Sequence, residues 1–164
     1  MNFSSILVPE TRNYSRGRAK GLAELVNKNN FKYEILYKSE FCFFFRLVNV
    51  QLIIANIYVN IKEFDSIIEL IKDTLNMILI RFPGEKIVVG EDFNSRLAEE
   101  NSFVDENILE GTILYDLRKS KDLVLDSRGR RLLELMKGFG FLLINGRTEA
   151  LFLNVSKYKY ISEY

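Results

Sequence analysis

Asp92 and Asn94 are the residues whose types and spacing best suit chemistry in this chain. They stand two apart after the apolar run Ile87-Val88-Val89-Gly90. Side chains alternate along a strand, so both are expected on one face, with Phe93 turned back toward the core. That would set a carboxylate beside an amide. The carboxylate can bind Mg²⁺ or take a proton from water, and the amide can steady a phosphate oxygen without adding negative charge. Such a pair suits phosphodiester hydrolysis. The same Asp-x-Asn spelling also makes a turn, because both side chains bond their own backbone and tolerate tight conformations. Spacing alone leaves the two readings open.

Two other groups could contribute. Residues 52–60 send Asn56, Tyr58 and Asn60 to one face and Ile53, Ala55 and Ile57 to the other. A face carrying hydrogen-bonding groups could flank a ligand, and it equally describes a half-exposed strand of an antiparallel sheet. Arg12, Arg16, Arg18 and Lys20 could touch phosphates, or form a solvated loop.

The elements that must hold these residues follow from periodicity. Residues 22–26, 31–37, 41–48 and 50–59 read as a run of adjacent, antiparallel strands, rich in β-branched and aromatic side chains and separated by short polar punctuation. From Phe64 the spacing changes: Phe64, Ile67, Ile68, Ile71, Leu75 and Ile78 recur at helical intervals until Pro83-Gly84. Residues 86–90 read as a buried strand entering the polar turn 91–94. A polar excursion spans 95–125, a second helix takes 129–137 with Leu132, Leu133 and Met136 on one face, and 141–144 form a further strand. The tail around Lys157-Tyr158-Lys159-Tyr160 reads as frayed surface. No internal repeat interrupts this single mixed domain.

Composition narrows the chemistry. The chain of 164 residues contains no histidine, which excludes Ser-His-Asp and Cys-His nucleophiles and His-ligated metals. Any catalysis must rest on carboxylates, amides, Tyr, Lys or Arg. With 23 basic and 22 acidic residues the net charge is +1, so no global basic field draws the protein to phosphate backbones. The single cysteine, Cys42, lies in an apolar run and suits a reducing compartment. No apolar run reaches membrane-spanning length, and no secretory leader is visible. The expectation is an intracellular protein, cytoplasmic or nuclear, with no membrane partner.

Taken in order, Ile57-Tyr58, a helix, Ile87-Val88-Val89-Gly90-Glu91-Asp92-Phe93-Asn94, then Gly129-Arg130-Arg131-Leu132-Leu133-Glu134-Leu135 and Leu143-Ile144-Asn145-Gly146-Arg147 resemble the endonuclease/exonuclease/phosphatase family. More narrowly they are similar to the endonuclease domain of retrotransposon polyproteins, whose entry segment is matched by Ser15-Arg16-Gly17-Arg18-Ala19-Lys20-Gly21. The resemblance covers roughly residues 15–148. It implies a partial four-layered α/β sandwich with mainly antiparallel strands and flanking helices, Mg²⁺ as cofactor, and DNA as partner. It also implies Asp92 as the aspartate that orients the attacking water, Asn94 as the amide that supports the phosphate, and Tyr58 as the phenol beside the scissile group.

The chain departs from the family at defined points. The family carries a metal-binding glutamate in a Glu-Thr pair well before its Arg-Gly-Arg segment, whereas Glu10-Thr11 stands close to Arg16-Gly17-Arg18. The family's catalytic histidine has no counterpart, and Glu91 stands where many retrotransposon members have a second glycine. The expected organisation is therefore an N-terminal segment 1–14, a domain 15–148 incomplete at both ends, and a tail 149–164. The expected function is that of a degenerate, inactive endonuclease domain. The alternatives are a working metal-dependent phosphodiesterase in which Glu10 or Glu91 completes the site, and a non-catalytic nucleic-acid- or protein-binding module.

Overall fold

The computed structural model describes residues 3–9, 21–27, 29–100, 115, 117–144 and 160–163. The chain is mixed α/β. Strands β1 (Phe3–Pro9) and β2 (Gly21–Asn27) form a two-stranded antiparallel sheet of their own. Next come β3 (Tyr33–Lys38), β4 (Cys42–Leu47) and β5 (Leu52–Tyr58), a short 3₁₀ turn (Ile61–Glu63) and helix α1 (Phe64–Arg81). Then follow β6 (Lys86–Asp92), α2 (Ser127–Phe139), β7 (Phe141–Leu143) and β8 (Tyr160–Glu163). No helix among the described residues is long and apolar enough to cross a membrane.

The second sheet has the order β3-β4-β5-β6-β8-β7. Its pairs are antiparallel except β5 with β6, which run parallel. A parallel pair needs a crossover, and the amphipathic α1 supplies it. Phe64, Ile67, Ile68, Ile71, Leu75 and Ile78 of α1 all lie on its buried side, against Ile53, Ala55, Ile57, Ile87 and Val89 of the sheet. Leu132, Leu133 and Met136 of α2 join the same core. Each such side chain contributes roughly 1.5–3 kcal/mol on burial, so the helical layer is what holds β5 and β6 in place.

β4 is buried on both faces because alternate residues serve two cores. Cys42 and Phe44 face the helices, while Phe43, Phe45 and Leu47 meet Leu22 and Val26 of β2. The Phe43 and Phe45 rings stack at 5.3 Å between centroids. The layers are thus helices, the six-stranded sheet, and the β1–β2 pair lying over part of its other face.

Local signals set the helix ends. Asn60 caps the 3₁₀ turn, accepting from Lys62 N at 3.1 Å. Gly84, with φ +81°, allows the tight return into β6. At the lower end of the sheet Arg46 forks onto Glu85, and both Arg46 and Arg81 stack 4.9 Å from the Phe82 ring centroid. This fixes the C-terminus of α1 to β4.

Three expectations change here. The strand at residues 21–27 does not join β3 in one run; it pairs with β1, a strand that periodicity alone does not single out. The last strand before the candidate site runs to Asp92, not to Gly90. The end of the tail is not frayed surface: β8 inserts between β6 and β7, so residues distant in sequence complete the sheet. Glu10, Arg12, Arg16, Arg18, Lys20, Asn145 and the tail residues 157–159 lie outside the described residues.

Candidate functional site

Parallel strands deliver their C-terminal ends to one edge, so β5 and β6 finish side by side. In the register Asn56 faces Gly90, Ile57 faces Glu91 and Tyr58 faces Asp92. Ile53, Ala55, Ile57, Ile87 and Val89 point into the helical core. By alternation, Asn56, Tyr58, Gly90 and Asp92 belong to the opposite face. Tyr58 is 37% exposed and Asp92 is exposed. The phenol and the carboxylate that the resemblance singles out are therefore cross-strand neighbours on one open rim.

The turn beyond them is tied to β5. Val59 N donates to the Asp92 carbonyl at 3.0 Å, extending the ladder by one step. Asn94 N donates to Asp92 Oδ1 at 3.0 Å, and Asn94 Nδ2 donates to the Val59 carbonyl at 2.9 Å. Asn94 has φ +47°, a left-handed conformation that asparagine tolerates better than most residues. Phe93 is 2% exposed and packs in the helical core, as alternation requires.

Asn94, however, does not project with Asp92 from one strand face. The strand has ended, and the left-handed residue turns the amide sideways onto Val59, where it is half-buried. Period-two geometry applies only inside a strand, which is why alternation misplaces Asn94. The turn chemistry and the presentation of Asp92 are one arrangement: the Asx turn holds the carboxylate at the rim.

A second set of bonds fixes the segment after this turn, which spacing described only as a polar excursion. Leu97 bridges Leu125, Ala98 N donates to Val124 O at 3.1 Å, and Asp126 N donates to Arg96 O at 3.2 Å. The Arg96 guanidinium forks onto Asp122 at 2.8 and 2.7 Å, and this carboxylate pushes the guanidinium's pKa up. Arg118, 6% exposed, donates to the carbonyls of Ala98 and Glu100.

Asp126 caps α2, accepting from Gly129 N at 2.7 Å and from Arg128 at 3.0 Å. Burial pushes its carboxyl up, but the Gly129 N–H, the Arg128 guanidinium and the Arg96 N–H together hold it below the usual carboxylate range. A Cβ on Gly129 would lie 2.0 Å from the Arg96 carbonyl oxygen, so only glycine permits this approach of α2 to the loop. Arg96, Asp122, Asp126 and Gly129 thus steady the site from behind. The available sequence signal was an aspartate three residues before a glycine at a helix start.

Among the described residues no group of three or more His, Cys, Asp or Glu side chains comes together to hold a metal. Asp92 supplies one carboxylate at the rim, within the one or two that Mg²⁺ commonly takes from protein when phosphate and water complete its shell. Glu91 is the register partner of Ile57, whereas Asp92 is that of Tyr58. No family model matches this chain, and no curated protein matches it.

Proposed function

We propose that the chain is a degenerate endonuclease/exonuclease/phosphatase domain derived from a retrotransposon endonuclease. Its ancestral reaction is Mg²⁺-dependent phosphodiester hydrolysis of DNA, and catalysis in the present chain is negligible. The observation that carries this reading is the parallel β5/β6 edge, which sets Tyr58 opposite Asp92 and locks Asn94 to the end of β5. The three residues come from two blocks of the motif series, Tyr58 from one and Asp92 and Asn94 from the other, and one sheet edge gathers them. The helical layer, the large sheet and the β1–β2 pair are consistent with three parts of a four-layered sandwich.

In this reading Asp92 would orient the attacking water, its carboxylate being also the one at the rim that could hold Mg²⁺, and the bound ion would neutralise charge developing on a phosphate. The Asn94 side-chain nitrogen is already committed to Val59, so it acts first as a positioning group for Asp92. The chain has no histidine to serve as general base or acid. Loss of one electrostatic catalytic group costs roughly a hundredfold to a thousandfold in rate, and groups that act as a unit do not compensate for one another.

A Mg²⁺-dependent plasmid-nicking assay tests the proposal, with Asp92→Ala as comparison. The expected result is no nicking above background by either protein, in Mg²⁺ or Mn²⁺. Robust nicking lost on Asp92→Ala would refute degeneracy and establish a working phosphodiesterase with a rearranged site.

A further inference from the structure

On the face of the large sheet turned away from the helices, β5 carries Leu52, Ile54, Asn56 and Tyr58 in turn. Leu52 and Ile54 pack against the cluster that Phe43, Phe45 and Leu47 build with Leu22 and Val26 of β2. The same face then continues with Asn56, half-buried, and Tyr58, exposed. β5 therefore changes from apolar to hydrogen-bonding side chains where the apolar packing beneath the β1–β2 pair ends.

The register turns this change into a corner. Phe43 of β4, Asn56 of β5 and Gly90 of β6 stand in one cross-strand row. Phe43 is 1% exposed and packs with β2, Asn56 is half-buried, and Gly90 brings no side chain. A Cβ at Gly90 would meet nothing within 4 Å, so the floor beside Asn56 is low. The next row on this face sets Tyr58 opposite Asp92. Asn56 thus stands at the foot of a step, with the phenol and the carboxylate at the rim beside it.

A phosphodiester in this corner needs a neutral donor, because the Asp92 carboxylate repels phosphate oxygens and an amide N–H attracts them without changing the net charge. The Asn94 amide nitrogen is turned onto the Val59 carbonyl, off the face. Asn56 is on the face itself. It lies about 6.5 Å along the strand from Tyr58 and diagonally across from Asp92, close enough for the three side chains to surround one phosphodiester group.

We propose that Asn56, rather than Asn94, is the residue that donates to a phosphodiester oxygen on this rim, above the floor left low by Gly90. The inference rests on the phosphodiester reading of the site given above, and it moves the binding amide within that site from the turn to β5.

Titration of the ¹⁵N-labelled full chain with dimethyl phosphate in Mg²⁺ buffer, followed by heteronuclear NMR, tests this. The Asn56 side-chain NH₂ resonances should move together with the backbone amides of Tyr58 and Asp92, while the Asn94 side-chain pair stays in place. Asn56→Val should weaken binding by about tenfold or more, since a hydrogen bond to a charged group is lost. Its circular dichroism should remain that of the folded protein, because valine suits a half-buried strand position. Asn56→Asp, which keeps the shape and replaces the donor with an acceptor, should abolish the shift at Asp92. Shifts at Tyr58 and Asp92 accompanied by the Asn94 amide and not by Asn56 overturn the assignment and leave the phosphodiester reading standing. So does an Asn56→Val protein that binds as tightly as wild type. An absence of shifts at Tyr58 and Asp92 in wild type overturns both.

Discussion

Replacing Gly129 with alanine should destabilise the protein, although alanine is the better helix former. The new Cβ would stand 2.0 Å from the Arg96 carbonyl oxygen and 2.9 Å from its carbon, both backbone atoms, and 3.2 Å from Leu125 Cδ1. To reach ordinary contact at 3.4 Å the first turn of α2 must retreat by about 1.4 Å. That movement strains the Gly129 N–H bond to Asp126 at 2.7 Å and the Asp126 N–H bond to Arg96 at 3.2 Å. Overpacking costs about 1–3 kcal/mol and a lost N-cap about 1 kcal/mol, against a propensity gain of at most about 1 kcal/mol. The net loss is about 1–3 kcal/mol, which for a domain of this length lowers Tm by roughly 2–12 °C. Urea and thermal denaturation followed by far-UV circular dichroism would measure it. Gly138→Ala is the internal control. It is the same chemical change in the same helix with open space around it, and it should stabilise by roughly 0.5–1 kcal/mol. If Gly129→Ala is as stable as wild type, or if both variants shift in the same direction, the close approach of α2 to the Arg96 backbone is not real.

Other outcomes follow from single contacts. Asn94→Asp should cost about 1–3 kcal/mol in urea denaturation, because an acceptor would replace the amide donor facing the Val59 carbonyl; a neutral result would mean that the amide does not anchor the turn. Phe93→Ala should cost about 3–5 kcal/mol, since the ring is buried in the helical core, and a loss below 1 kcal/mol would place it at the surface instead. The lowered pKa of Asp126 stabilises the fold at pH values above its unfolded value, near pH 4, and that contribution is lost as pH falls through the lower folded value. Asp126→Asn should therefore give a flatter stability profile below about pH 4, and identical acid profiles for the two proteins would contradict the assignment.

Much of the scaffold was legible before folding. The six-position apolar stripe of α1, the alternation in β5 and the doubly apolar β4 each carry their period in consecutive residues, so local pattern and final element agree. The same holds for Phe93, whose place two residues beyond Glu91 and between two polar neighbours sends it to the core. Local reading failed where partners lie far apart in sequence. β1 and β8 are defined by what they pair with, and nothing in Phe3–Pro9 or Tyr160–Glu163 names Gly21–Asn27 or Lys86–Asp92 as that partner.

For the candidate site, the residue types Tyr58, Asp92 and Asn94 were visible in the chain, and their family resemblance set them in order. Their meeting was decided by tertiary structure, because only the parallel crossover through α1 makes Tyr58 the register partner of Asp92. The orientation of Asn94 was decided there too: a positive φ cannot be read from strand period, and the Val59 carbonyl that holds its amide is 35 residues away. The clamp of Arg96, Asp122, Asp126 and Gly129 follows the same rule. Each residue is ordinary by itself, and its role comes from a partner distant in sequence or a backbone atom that the fold brings into contact with it.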